Sequence, residues 1–129
     1  MIIKSFELKK NIFEKYNLFL IYGSNEGYKN QITKDVFENS FTGEILRIEE
    51  NEILNNYDEF ISNLMNKSLF EEEKLIIILR TSEKILNFIN EFIERKIEKI
   101  KIIINSNNLE KKSKLRNFFE KEKELVCVP

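Results

Sequence analysis

The sequence has no histidine, one cysteine, one proline and three glycines among its 129 residues. Without histidine, a Ser-His-Asp or Cys-His relay and an imidazole-ligated metal are excluded. A lone thiol, Cys127, can form no disulfide within the chain, which fits a reducing compartment. Three glycines and one proline leave little material for an enzyme built on several glycine-rich loops. Long apolar runs are also missing. Stretches such as 75–79 and 102–104 fall far short of the roughly 20 residues of a membrane-spanning helix. The first ten residues are charged by Lys4 and lack the apolar core of a leader peptide, so a cytoplasmic location is expected. No charge sign dominates. Lys and Arg total 21 against 22 Asp and Glu, for a net charge of −1, which argues against a surface given over to nucleic acid or membrane.

What is present reads as one soluble domain, 42% hydrophobic and 33% charged. Ile, Asn and Lys are abundant, as in AT-rich coding DNA, so positions carry more information than totals. Five short apolar runs stand out at 18–22, 44–48, 74–79, 100–104 and 124–128. The first, third and fourth are nearly continuous β-branched or aromatic residues, as in strands covered on both faces. The second and fifth are weaker. Helical stripes alternate with them: Tyr28, Ile32 and Val36; then Ile53, Tyr57, Phe60, Ile61 and Leu64; then Ile85, Ile89, Phe92 and Ile93; last Leu115, Phe118 and Phe119. Residues 1–16 read as a short extension or helix, with Phe6, Leu8, Ile12 and Phe13 packed on the core. Alternating strands and helices predict βαβ units. The expected fold is a three-layer α/β/α domain on a mostly parallel five-stranded sheet. The chain stops at Pro129 directly after the fifth run, where such domains usually add a covering helix. The expectation is therefore a piece of a longer protein.

In doubly wound folds the loop after the first strand faces the ligand crevice. Here it reads Gly23-Ser24-Asn25-Glu26-Gly27-Tyr28-Lys29-Asn30. Against G-x-x-x-x-G-K-[ST], Gly23 and Lys29 align. Tyr28 stands where the second glycine belongs, with Gly27 one place early, and Asn30 replaces the hydroxyl that holds Mg²⁺. Glu26 adds a negative charge where phosphate would sit, a repulsion of a few kcal/mol at close range. The third run ends Leu79-Arg80-Thr81-Ser82, with no Asp or Glu expected at its exit to organise a metal. The pattern favours a turn that only nucleates a helix, capped by Ser24 or Asn25, over a working nucleotide site. No catalytic residue, metal site or cofactor is expected.

Two further segments invite a functional reading. Ser68-Leu69-Phe70 lies between the second helix and three acids. By pattern alone the pair extends the stripe from Met65 into the core. The alternative is an apolar plug at a loop tip, each residue able to contribute roughly 1.5–3 kcal/mol on burial in a partner. The last helix, expected over 110–121, carries Lys111, Lys112, Lys114, Arg116 and Lys121, interrupted by Glu110 and Glu120. Its basic side has no interleaved aromatics, so a solvated face is favoured over a nucleic-acid surface. Cys127 has no charged neighbour in sequence to activate it and reads as a buried structural thiol.

Taken together, 18–23 with its defective phosphate loop, the Ser68-Leu69-Phe70 turn before an apolar strand, the segment 109–115 and the ending 126–129 resemble the N-terminal domain of the delta subunit of the bacterial DNA polymerase III clamp loader. The resemblance implies an AAA+-like P-loop NTPase fold with a degenerate P-loop at Gly23, Gly27, Lys29 and Asn30. It implies residues 1–129 as the clamp-binding domain, cut from a subunit that also has lid and collar domains. It implies no catalysis by this chain, only membership of a DNA polymerase complex. The partner would be the sliding clamp, gripped by Leu69 and Phe70 next to Ser68. Other loader subunits would be met mainly through the missing C-terminal domain, and DNA only indirectly. A small ATP-binding P-loop enzyme and a nucleic-acid-binding α/β domain are the competing classes.

Overall fold

The three β-branched runs form the centre of the sheet. The computed structural model describes residues 1–4, 7–68, 73–122 and 126–128. In it β1 (Leu18–Tyr22), β3 (Lys74–Thr81) and β4 (Ile100–Ser106) lie side by side. β2 (Glu44–Glu49) forms one edge and the three-residue β5 (Val126–Val128) the other, in the order β2-β3-β4-β1-β5. Every pairing is parallel. The weaker sequence signal of β2 follows from its edge position, where side chains meet solvent and only Leu46, Ile48 and Glu49 are half-buried.

Side-chain alternation sends each central strand into two cores. Leu18, Leu20, Tyr22, Ile76, Ile78, Ile102 and Ile104 enter one. Phe19, Ile21, Leu75, Ile77 and Ile103 enter the other. The connection from β1 to β2 runs toward one edge, whereas those from β2 to β3, β3 to β4 and β4 to β5 run the opposite way. Right-handed crossovers must then lay the first connection on one face and the other three on the opposite face. The packing agrees. Phe37 from the first connection joins the second core, together with Phe13 of α1 (Lys10–Lys15). The first core receives Ile53 of α3 (Glu50–Asn55), Ile61 and Leu64 of α4 (Tyr57–Ser68), Phe88, Ile89 and Phe92 of α5 (Leu86–Glu94), and Leu115 and Phe119 of α6 (Lys114–Lys121). Helices thus cover both faces. No helix among the described residues is long and apolar enough to cross a membrane.

Four expectations need correction. In α2 (Glu26–Ile32) and the π-helical turn that continues it (Thr33–Glu38), the fully buried row is Lys29, Thr33 and Phe37, while Ile32 and Val36 of the expected stripe pack half-buried against the second core and Tyr28 does not. Tyr28 is 45% exposed. Thr33 Oγ1 donates back to Lys29 O at 2.9 Å, and a wider π turn keeps residues four apart in line, so the buried row lies one residue later. The expected single second helix is two, broken at Asn56, whose backbone leaves the helical region (φ −132°, ψ 48°). In α5, Ile93 is exposed and Phe88 takes the core position. The last helix begins at Lys114 rather than 110, because Ser113 caps it by accepting from the Arg116 N–H.

Candidate functional site

At the C-terminal ends of the strands, β1 and β4 feed connections that lie on opposite faces. This is the switch point at which doubly wound sheets open a ligand crevice. Gly23 leaves β1 with φ +142°, a backbone that only glycine adopts without strain, so the first glycine of the motif keeps its geometric role. Asn25 caps α2, its Oδ1 accepting from the Tyr28 N–H at 3.0 Å. Gly27 and Asn30 are exposed on the helix that follows.

Lys29 departs from what a phosphate loop requires. Its side chain is buried, and its ammonium donates to the Ser106 carbonyl at 2.7 Å and to Glu26 Oε1 at 2.6 Å. Ser106 is the last residue of β4 and pairs with Tyr22, the last of β1. The lysine therefore spans the switch point from below and is neutralised by Glu26 from the solvent side. A pair with one partner open to solvent, as Glu26 is here, adds at most about 1 kcal/mol of stability. The buried Ser106 carbonyl matters more, since it would cost about 1–3 kcal/mol if left without a donor. The ammonium thus acts as a strut across the crevice, already satisfied by protein oxygens. Glu26 opposes an incoming phosphate less by repelling it than by occupying the cation that would bind it.

Beside this strut the β3–β4 ladder slips between Ile78 and Thr81, and Arg80 takes φ +54°. Hydroxyls bridge the gap: Thr81 Oγ1 donates to Asn105 O at 3.0 Å and Ser106 Oγ to Thr81 O at 3.2 Å. An acid does reach the exit of β3, although that strand's own residues offer no sign of it. It is Glu50, from the first turn of α3, and it is buried. Its Oε1 accepts from Ser82 Oγ at 2.7 Å and its Oε2 from the Ser82 N–H. Both oxygens are engaged in closing the turn. The signal was present as a glutamate just past β2, but only the β2–β3 pairing brings it there. Among the described residues no group of His, Cys, Asp and Glu side chains is arranged to hold a metal ion.

The basic helix is also partly committed inward. Arg116 stacks over the Tyr22 ring at 5.3 Å, pairs with Glu120 at 2.6 Å and donates to Leu109 O at 3.0 Å. It folds the 107–113 segment over the end of β1. Glu83 accepts from the Lys114 N–H at 2.9 Å and so fills the N-terminus of α6 with a protein carboxylate. Lys111, Lys112, Lys114 and Lys121 remain exposed.

The third candidate, Ser68-Leu69-Phe70, lies at the end of α4. Leu69 and Phe70 are outside the described residues, and Ser68 is the last residue of the helix. Cys127 lies on β5 without a described side chain. Ile61 and Leu64 are buried, Met65 is 37% exposed, and the Arg95 guanidinium of the α5 C-cap donates to Met65 Sδ at 2.9 Å. Arg95 also pairs with Glu91 at 2.8 Å, and Glu91 accepts the Tyr57 hydroxyl at 2.8 Å. That hydroxyl and Arg95 hold the Glu91 carboxyl below its usual range. The Tyr57 phenol is pushed up to about 12, first by burial and then by donation to Glu91. A cavity of about 490 Å³ lies at the other pole of the sheet, lined by Tyr16, Leu18, Phe92, Ile97 and Lys96 among others. It touches none of the candidate residues.

No protein-family model matches the chain, and no curated protein matches it.

Proposed function

We propose that this chain is a non-catalytic, clamp-binding domain of the kind found at the N-terminus of the delta subunit of the bacterial DNA polymerase III clamp loader. On this reading it is a cytoplasmic AAA+-like scaffold that grips the sliding clamp and favours its open form. The observation that carries the reading is the placement of Lys29. The residue that should meet a nucleotide's phosphates is buried against Ser106 and Glu26. A scaffold with that lysine spent as a strut has nucleotide-loop architecture without the means to bind Mg–ATP. That weighs against a small P-loop enzyme. The inward commitment of Arg116 weighs against a nucleic-acid surface on α6.

The task needs no covalent chemistry. A protein that binds a ring opens it only by as much as it prefers the open form. Leu69 and Phe70 would supply affinity by burial in an apolar pocket of the clamp, next to Ser68 at the end of α4. Contacts that fit only a relaxed ring interface would supply the bias. ATP would act through sister subunits with intact loops, and those would be joined through domains beyond this chain.

The test is titration calorimetry against the sliding clamp of the same organism. Binding is expected with weak salt dependence, and Leu69→Ser with Phe70→Ser should abolish it while leaving the circular dichroism spectrum unchanged. Binding that survives the double substitution, or micromolar affinity for Mg–ATP, would overturn the reading.

A further inference from the structure

α4 does not inherit its direction from α3, because the chain breaks out of helical geometry at Asn56 between them. Its direction must come from what it packs on, the first core through Ile61 and Leu64 and the flank of α5. The first half is fixed by aromatic contacts, with Tyr57 and Phe60 set edge-on to Phe88 at 6.4 and 5.6 Å. The second half is held differently. Ile61 and Leu64 enter the core on one face of the helix, which leaves the opposite flank of its last turn to be held by something else. A second attachment on another flank is needed to fix the roll, and it is the Arg95 guanidinium on Met65 Sδ. The same Arg95 is held by Glu91, and Glu91 is held by Tyr57 at the start of α4. Both ends of α4 are therefore tied to one pair of side chains a single turn apart on α5.

We propose that Glu91 and Arg95 are positioning residues that set the roll and tilt of the last turn of α4. They thereby set how the end of α4 is presented to a partner. The inference rests on reading that end of α4 as the docking element. The lace is half-exposed, as a purely stabilising contact in the core would not be: Arg95 and Glu91 side chains are 43% and 28% accessible. Partly exposed ion pairs contribute little to folding. Removing this one should leave the fold and its melting temperature nearly unchanged while altering how the helix end is presented.

The experiment measures Arg95→Gln, Arg95→Lys and Met65→Leu against the parent and the Leu69→Ser, Phe70→Ser double variant. Clamp affinity is read by calorimetry and amide exchange is read over residues 64–68. Arg95→Gln should bind the clamp about 5- to 10-fold more weakly. Its exchange should rise in the last turn of α4 alone, with an unchanged melting temperature. Arg95→Lys should recover part of the affinity, and Met65→Leu should resemble Arg95→Gln, since it keeps the bulk but loses the sulfur. Parental affinity in Arg95→Gln, while the double variant loses binding, would overturn this inference and leave the docking reading standing. Parental affinity in the double variant would overturn both.

Discussion

Tyr57 shows how a single hydroxyl can report on a contact between helices. Its pKa is raised to about 12 from the ordinary 10.0. The neutral phenol is favoured in the fold, so the stabilisation is fully present below pH 10 and lost as pH rises through about 12. Spectrophotometric titration should find a tyrosine ionising near 12 that Glu91→Gln brings down toward 10. A Tyr57 that ionises near 10 would show that the Tyr57–Glu91 bond does not persist in solution. Glu91 runs the other way: its lowered pKa contributes stability above the usual carboxylate range, lost as pH falls through the depressed value. The glycines make a second residue-scale test. A Cβ on Gly27 would meet nothing nearer than Asn25 Oδ1 at 3.7 Å, so Gly27→Ala in α2 should raise stability by about 0.5–1 kcal/mol. A Cβ on Gly43 would sit 2.2 Å from the Glu73 carbonyl oxygen and 2.8 Å from the Phe41 ring. Gly43→Ala should therefore cost about 1–3 kcal/mol. Urea denaturation of the pair should give opposite signs.

Among the elements, α1 is the clearest case of a short helix that holds only by tertiary contacts. Six residues are too few for independent stability. Phe13 is buried against Phe19 and Phe37, at 5.9 and 5.0 Å between ring centres. The half-buried Lys101 ammonium caps the helix end, donating to Phe13 O and Tyr16 O at 2.6 Å each. Burial holds that ammonium below its usual range, while Glu73 and Glu14 draw it back up. Lys101→Met should destabilise the domain by about 1–2 kcal/mol and raise amide exchange across 10–15 before the sheet is affected. Unchanged exchange there would mean that the aromatic contacts suffice. α1 is legible because Leu8, Ile12 and Phe13 repeat at helical spacing; its cap is not, because Lys101 is 88 residues from Phe13. The phase of α2 misleads for a related reason. Periodicity marks the apolar Ile32 and Val36, which do pack half-buried on the second core, and passes over Lys29 and Thr33, which the fold buries more deeply with polar partners of their own.

At the scale of the whole molecule, the sheet order decides what the C-terminal pole can do. β4 stands between β1 and β3, so the loop after β1 meets Ser106 directly, while Glu50 arrives from the far edge. A ligand that binds only the folded state at 100 times its Kd stabilises by about 2.7 kcal/mol. Millimolar Mg–ATP should therefore leave the melting temperature unchanged if Lys29 is a strut. A rise of several degrees, abolished by Lys29→Ala, would show the lysine to be available to phosphate. Lys29→Ala should itself cost about 1–3 kcal/mol by leaving the Ser106 carbonyl without its donor.

The chain's own order of residues was enough to mark the strands among the described residues and most of their helices. Continuous Ile and Leu runs at 75–78 and 102–104 suit only strands covered on both faces, and the stripe in 115–119 repeats at helical spacing. Sequence was also enough to show that 23–30 departs from the phosphate-loop pattern at Tyr28 and Asn30, since both are local positions in a local motif. Tertiary structure alone decided where Lys29 points, which acid reaches β3 and which pair on α5 steers α4. Those contacts join residues 77, 32 and 30 positions apart for Lys29–Ser106, Glu50–Ser82 and Met65–Arg95. Patterns of three or four residues carry no information about such distances, because the strand order that closes them is a property of how the whole chain packs.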